Sequence, residues 1–225
     1  MYQQEISEMI SMTKFKGLVF DLDGTLSDSV AMILRSSQSV HEKMGLPWDK
    51  EAAESFIGKP LYETAAAFAP GREDEYVKTF GEFNMLYMPK MIKPFPGIPS
   101  LLAKLQQCGV ELAIVTSRLQ WGADWSAEIL GIDSYFTAIL GVEASEKHKP
   151  NPEPALLALE KIGVKPEDAA FIGDAAVDIA CGKAAGMKTI GVGWGVLGEK
   201  LKEAEPDFFV SNVNALSKLL LLEQE

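Results

Sequence analysis

Only two cysteines occur in the 225 residues, Cys108 and Cys181, too few for a disulfide framework. Cys181 lies in an Ala/Gly-rich stretch and reads as a small core residue. Histidine is equally scarce: His41 and His148 fall in no metal-ligand spacing, although His148, beside Lys149, is a candidate for lining a site. Positive charge is in deficit. The 21 Lys and Arg against 32 Asp and Glu give a net charge of −11, and no basic tract offsets it. That argues against nucleic-acid or anionic-membrane binding. It leaves an anionic substrate open, because the field inside a pocket matters more than the total. No apolar run reaches membrane-spanning length. Residues Met1 to Thr13 are polar and acidic and lack the basic-then-apolar order of a signal peptide. A cytoplasmic protein is expected. Internal repeats and low-complexity segments are absent from the sequence as well.

An apolar fraction of 47% with 24% charged residues suits a folded globular chain long enough to bury a real core. Short apolar strand candidates recur at Leu18–Asp21, Leu112–Thr116, Ala138–Leu140, Ala170–Gly173, Thr189–Val192 and Phe208–Val210. Helical patterns separate most of them, among them Gly97–Cys108 and Pro154–Ile162. Such alternation predicts an α/β fold with a doubly wound parallel sheet. The stretch from Asp28 to Lys93 is too long for a simple crossover and shows no convincing strand. Val30, Ile33, Leu34, Val40 and Met44 follow a helical period, and Leu61–Phe68 and Tyr76–Met88 read as further helices. An inserted helical unit over residues 28–93 is expected, with a core of residues 14–27 and 94–225 and an N-terminal extension over 1–13.

Asp21 and Asp23 stand at the end of the first apolar run, just before Gly24 and Thr25. Burying unpaired charge costs several kcal/mol or more, on the order set by ion desolvation. A fold keeps such a pair where a cation or substrate compensates it, and parallel sheets bind ligands beyond the carboxyl ends of their strands. The competing reading is an Asp-Gly turn. Taken singly, Asp174 and Asp178 read as helix caps, Thr116 as a strand-end hydroxyl and Lys149 as a solvated lysine. Asp28 reads as a residue at a helix N-terminus. Trp121, Trp125 and Trp194 read as packing residues.

Taken together, these residues say more. Asp21-Leu22-Asp23-Gly24-Thr25 resembles the D-x-D-G-T nucleophile motif of the haloacid-dehalogenase-like phosphatases. Three further motifs of that superfamily follow in order. They are the strand Glu111–Val115 ending in Thr116-Ser117, Lys149 before Pro-rich sequence, and Gly173-Asp174-Ala175-Ala176-Val177-Asp178. The resemblance implies a Rossmann-like parallel sheet flanked by helices, with an inserted α-helical cap. It implies Asp21 as nucleophile forming an aspartyl-phosphate, and Asp23 as acid/base. Lys149 and the Thr116 hydroxyl would act at the phosphoryl oxygens. The cofactor implied is Mg²⁺, held by Asp174 with Asp178 behind it, by the Asp21 carboxylate and by the Asp23 backbone carbonyl. An acid at Asp23 points to P–O chemistry, since dehalogenases of the superfamily lack one there and phosphonate-cleaving relatives carry Ala.

Substrate choice is expected in the helical insertion. Phe56-Ile57-Gly58-Lys59-Pro60-Leu61 resembles the substrate-specificity loop of the phosphoglycolate-phosphatase-like subgroup. Gly24, Thr25, Ser117, Arg118 and Lys59 are the candidates for substrate contacts, with Lys59 or Arg118 meeting a second anionic group. The partner implied is a small phosphorylated metabolite, met by a monomer or homodimer. Pyrophosphate, or a broad set of sugar and nucleotide phosphates, suits the same features. A phosphosugar mutase ranks lower: such relatives carry His twelve residues after the nucleophile, where this chain has Ile33, and Val where it has Thr25.

Overall fold

A computed structural model describes residues 13–222. The N-terminal extension expected over residues 1–13 therefore lies outside the described residues, save for its last position. Among the described residues no helix is long and apolar enough to cross a membrane.

Six parallel strands make the main sheet: β1 (Gly17–Phe20), β4 (Glu111–Val115), β5 (Ala138–Leu140), β6 (Ala169–Gly173), β7 (Lys188–Val192) and β8 (Phe208–Val210). Their order is β5-β4-β1-β6-β7-β8. The sheet is a Rossmann-like α/β core, as the alternation of apolar runs and helical periods predicts. Because β1 is central and buried on both sides, its side chains alternate between two apolar layers. Leu18 and Phe20 join one layer with Ile114 and Ile172. That layer includes α5 (Ile98–Gln107), α6 (Gln120–Leu130) and α9 (Val213–Leu220). Val19 joins the other with Ala113, Val115 and Phe171, under α7 (Glu153–Ile162) and α8 (Ala176–Ala184). This alternation explains why the strand reads as an unbroken apolar run.

Between β1 and α5 the chain makes a separate helical layer. It contains α1 (Val30–Met44), α2 (Lys50–Glu54), α3 (Leu61–Phe68) and α4 (Glu73–Met91). The layer has its own apolar cluster, with Val40, Met44, Ala65, Tyr76 and Phe80 at its centre. Polar seams lock α1 to α4: Ser36 donates to Asn84 at 2.9 Å, Ser37 meets Tyr76 at 3.1 Å and Ser39 meets Tyr87 at 3.1 Å. The short α2 escaped the periodicity because five residues hold too little pattern. Its signal is Asp49, whose carboxylate caps the Ala52 N–H at 3.0 Å.

The chain enters and leaves this layer through β2 (Ser27–Asp28) and β3 (Lys93–Pro94), a two-residue antiparallel ribbon. Asp28 is thus not the helix-terminal residue expected. It is exposed in β2 opposite Lys93, and Ser29 precedes the helix. Helical periodicity identifies the interior of α1 but cannot register so short a ribbon.

Candidate active site

Register brings the site together. Phe20 pairs with Ile114 on one side and Ile172 on the other, so Asp21 emerges between the ends of β4 and β6. Its N–H still donates to the Ile172 carbonyl at 2.9 Å, which fixes the backbone beneath the carboxylate. Thr116 follows β4 and Asp174 follows β6, and Asp21, Thr116 and Asp174 are all buried. Lys149, from the loop before α7, reaches the same point. Its Nζ donates to Asp21 Oδ1 at 2.7 Å, Asp178 Oδ1 at 2.7 Å and the Val115 carbonyl at 3.4 Å.

Carboxylate oxygens of Asp21, Asp174 and Asp178 lie within 4.8 Å of one another. Burial pushes the Asp21 carboxyl well above its ordinary range, and Asp178 and Asp174 push the same way against the pull of Lys149. Burial also raises Asp174, to about 7, with Asp178 adding to the rise and the Val196 N–H opposing it. Burial acts to lower Lys149, but Asp178 and Asp21 outweigh it and hold the ammonium charged. Three carboxylates against one ammonium leave a formal excess of two negative charges in a buried, all-oxygen cluster. That donor set fits a hard dication.

The remaining groups support or flank this centre. Gly24 adopts φ +82, and a Cβ there would fall 2.3 Å from Asp174 Oδ2. Only glycine permits both the turn and the approach. Thr25 donates to Asp174 Oδ1 at 3.3 Å, so its hydroxyl steadies a carboxylate. Asp178 accepts the Ala175 N–H at 3.0 Å while holding Lys149: the helix cap and the charged cluster are one arrangement. The Thr116 hydroxyl oxygen accepts from the Arg118 N–H at 3.2 Å and keeps its own proton free to donate.

Asp23 points to the other side. Arg118 grips it in a bidentate pair, Nε to Oδ2 at 2.6 Å and Nη2 to Oδ1 at 2.7 Å, and the Ser29 hydroxyl donates to the same carboxylate. Arg118, expected to meet substrate, is engaged with Asp23. Ser117 donates to the Gly58 carbonyl at 2.7 Å, joining the loop between α2 and α3 to the end of β4. Lys59, next in that loop, is exposed and lies 4.2 Å over the Phe56 ring. His148 is half-buried and its Nδ1 has no hydrogen-bond partner. Trp125 packs on the core, whereas Trp121 is half-exposed and Trp194 donates to the Thr25 carbonyl at 3.1 Å.

Two groups went unnoticed in the sequence. Ser29 needed the fold of the β2 turn to reach Asp23. The segment Gly195-Val196 closes over Asp174: the Val196 N–H donates to Oδ2 at 2.8 Å, and a Cβ on Gly195 would fall 2.2 Å from Asp174 Cβ. A glycine-flanked tryptophan just past a strand was the available signal.

The model of the haloacid dehalogenase-like hydrolase family matches residues 18–192. The chain belongs to that family. It is 33% identical over 205 residues to a protein of Anoxybacillus flavithermus named pyrophosphatase PpaX, covering 90% of this chain and 95% of that one. A crystal structure described as a predicted phosphatase from Clostridium acetobutylicum matches at TM-score 0.81 and 26% identity, covering 91% and 97% of the two chains. Another, described as a predicted phosphoglycolate phosphatase from Haemophilus somnus, shares the fold at TM-score 0.83 and 24% identity, over 92% and 99%.

Proposed function

We propose that this family member is a phosphatase acting on a small phosphate monoester through a covalent intermediate on Asp21. The observation that carries the reading is the Asp21 carboxylate, buried at the mouth of the central strand, 2.7 Å from the Lys149 ammonium and within the three-carboxylate cluster. An Asp21 oxygen attacks phosphorus and the P–O bond to the alcohol breaks. Lys149 and the Thr116 hydroxyl meet the charge on the phosphoryl oxygens. Asp23 protonates the departing alcohol. It then takes a proton from the water that attacks the Asp21 phosphoryl group, which releases phosphate and restores the carboxylate.

Asp21, Asp174 and the Asp23 backbone carbonyl are the groups proposed to hold magnesium, with Asp178 behind them. When bound, the ion supplies charge neutralisation on the transferring phosphoryl group. The helical layer over residues 28–93 is proposed as a cap on this centre, turning about the β2–β3 ribbon and excluding water during the reaction.

Phosphate release from a generic aryl phosphate tests the reading. Asp21→Asn is expected to lower turnover by at least about 10⁴-fold, the scale on which loss of a nucleophile is felt, and a chelator is expected to abolish release reversibly. Undiminished turnover in the variant rules out this nucleophile. Pyrophosphate is the second reading, favoured by the name of the 33%-identical relative.

A further inference from the structure

A cavity of about 90 Å³ lies between the helical layer and the sheet. Asp23, Ser117 and Arg118 stand on its wall, while Asp21, Thr116, Lys149 and Asp174 do not. It therefore adjoins the site on the side of Asp23, the proposed proton donor, where the departing alcohol must sit. This placement rests on the phosphatase reading above. The lining is apolar: Ile33 and Leu34 from α1, Phe56 from the loop, Phe80 from α4 and Trp121 from α6. Of the polar side chains on the wall, Ser37, Ser117 and the Asn84 carbonyl are already paired, which leaves the Thr64 hydroxyl and the Asn84 amide nitrogen as neutral groups facing a ligand. Ser37 meets Tyr76, Asn84 accepts from Ser36, and Ser117 donates to Gly58. Of the two cations, Arg118 holds Asp23 and Lys59 lies exposed over Phe56.

We infer that the leaving group is an uncharged alcohol with a compact apolar body, so that the substrate class is a short alkyl phosphate monoester. A phosphate leaving group, carrying roughly two negative charges, meets mostly apolar walls there, with Arg118 committed to Asp23 and Lys59 exposed. A carboxylate-bearing alcohol meets the same deficit. An apolar chain instead replaces water along walls that offer it few polar partners. The step balances as the hydrolysis above: the P–O bond to the alkyl oxygen breaks, that oxygen takes the Asp23 proton, and water supplies the oxygen of the released phosphate.

The test is kcat/KM, with magnesium present, for ethyl, n-butyl and isopentyl phosphates, beside phosphoglycolate and pyrophosphate. The alkyl alcohols have similar leaving-group acidity, so the series reads binding rather than intrinsic reactivity. Each buried methylene is expected to raise kcat/KM about four-fold, the equivalent of ~0.8 kcal/mol. An isopentyl-to-ethyl ratio above about five, with isopentyl phosphate ahead of both charged substrates, supports the inference. A smaller ratio, or a lead for pyrophosphate or phosphoglycolate, overturns it. Gly122→Leu supplies the second arm: Gly122 lines the cavity from α6, and a Cβ there meets nothing within 4 Å. The added side chain is expected to fill the cavity and bring the ratio toward one. A variant that melts like the parent with an unchanged ratio also overturns the inference. Release that depends on Asp21 but ignores chain length defeats this inference alone. Absence of release from every substrate, or release indifferent to Asp21→Asn, defeats the phosphatase reading and takes the inference with it.

Discussion

The crevice at the strand ends and the cavity beneath the helical layer are neighbours built on opposite principles. In the crevice, charge is concentrated: the buried Asp21, Asp174 and Asp178 crowd around Lys149. In the cavity, Ser37 and the Asn84 carbonyl are tied to neighbouring side chains and most of the wall left to a ligand is aliphatic and aromatic. The crevice hangs from adjacent parallel strands, whose register is fixed by the core. The cavity hangs largely from helices outside the sheet. The proposed reaction needs the precision of the first, whereas the proposed choice among leaving groups needs only the shape of the second. Asp23 and Arg118 stand where the two meet.

If the division is real, damage should scale with distance from the crevice. Asp23→Ala is expected to lower kcat by roughly 10²- to 10⁴-fold, the range of general acid–base assistance, while magnesium affinity, read by calorimetry, changes little. A collapse in metal affinity that tracks the rate would move Asp23 into the charged cluster.

The crevice should also reveal itself through stability. A carboxyl raised to about 7 when folded binds its proton more tightly than in the unfolded chain. The metal-free protein should therefore lose stability as pH rises from about 4 to about 7, by up to about 4 kcal/mol from Asp174 alone. Magnesium should flatten that dependence, since it compensates the same charge. Chemical denaturation at a series of pH values, with and without magnesium, measures both slopes. Stability that increases over this interval without metal would contradict the electrostatics of the cluster.

Smaller effects belong to the border and the rim. Arg118→Lys replaces a bidentate grip by a point charge. It should lower kcat about ten-fold by loosening Asp23, with KM for a short alkyl phosphate little moved; a rise in KM alone would make Arg118 a substrate contact instead. Lys59→Ala should change kcat/KM for uncharged leaving groups by no more than about two-fold, as expected of an exposed cation. A selective loss on phosphoglycolate would show that Lys59 reaches a substrate anion.

Much of the crevice was legible because its residues end strands. A buried strand announces itself as an apolar run, and Asp21, Thr116 and Asp174 each stand one position beyond one. The six strands fall where the runs predict, within a residue at either end. Long-range geometry was not legible. Arg118 and Asp23 are 95 positions apart, and no local pattern says that they meet. The closure of Gly195 and Val196 over Asp174 depends on how the chain turns after β7, which periodicity does not encode. The ribbon at Asp28 is two residues long and Asp28 is polar, so neither signal used for strands applied. Ile33 was read as the absence of a histidine; in the fold it is part of an apolar wall.

The ribbon itself has a consequence for how such a chain can be rearranged. Asp28 stands opposite Lys93, so the helical layer leaves and rejoins the sheet across one strand spacing, about 5 Å. Its two ends are spatial neighbours although 65 positions separate them. The layer is therefore exchangeable as a cassette: a different insert whose ends meet at the same spacing can be grafted between Ser27 and Pro94 while β1, β4 and β6 keep their register. Recombination at this doorway can change the helical layer without touching the strand-end crevice beneath it.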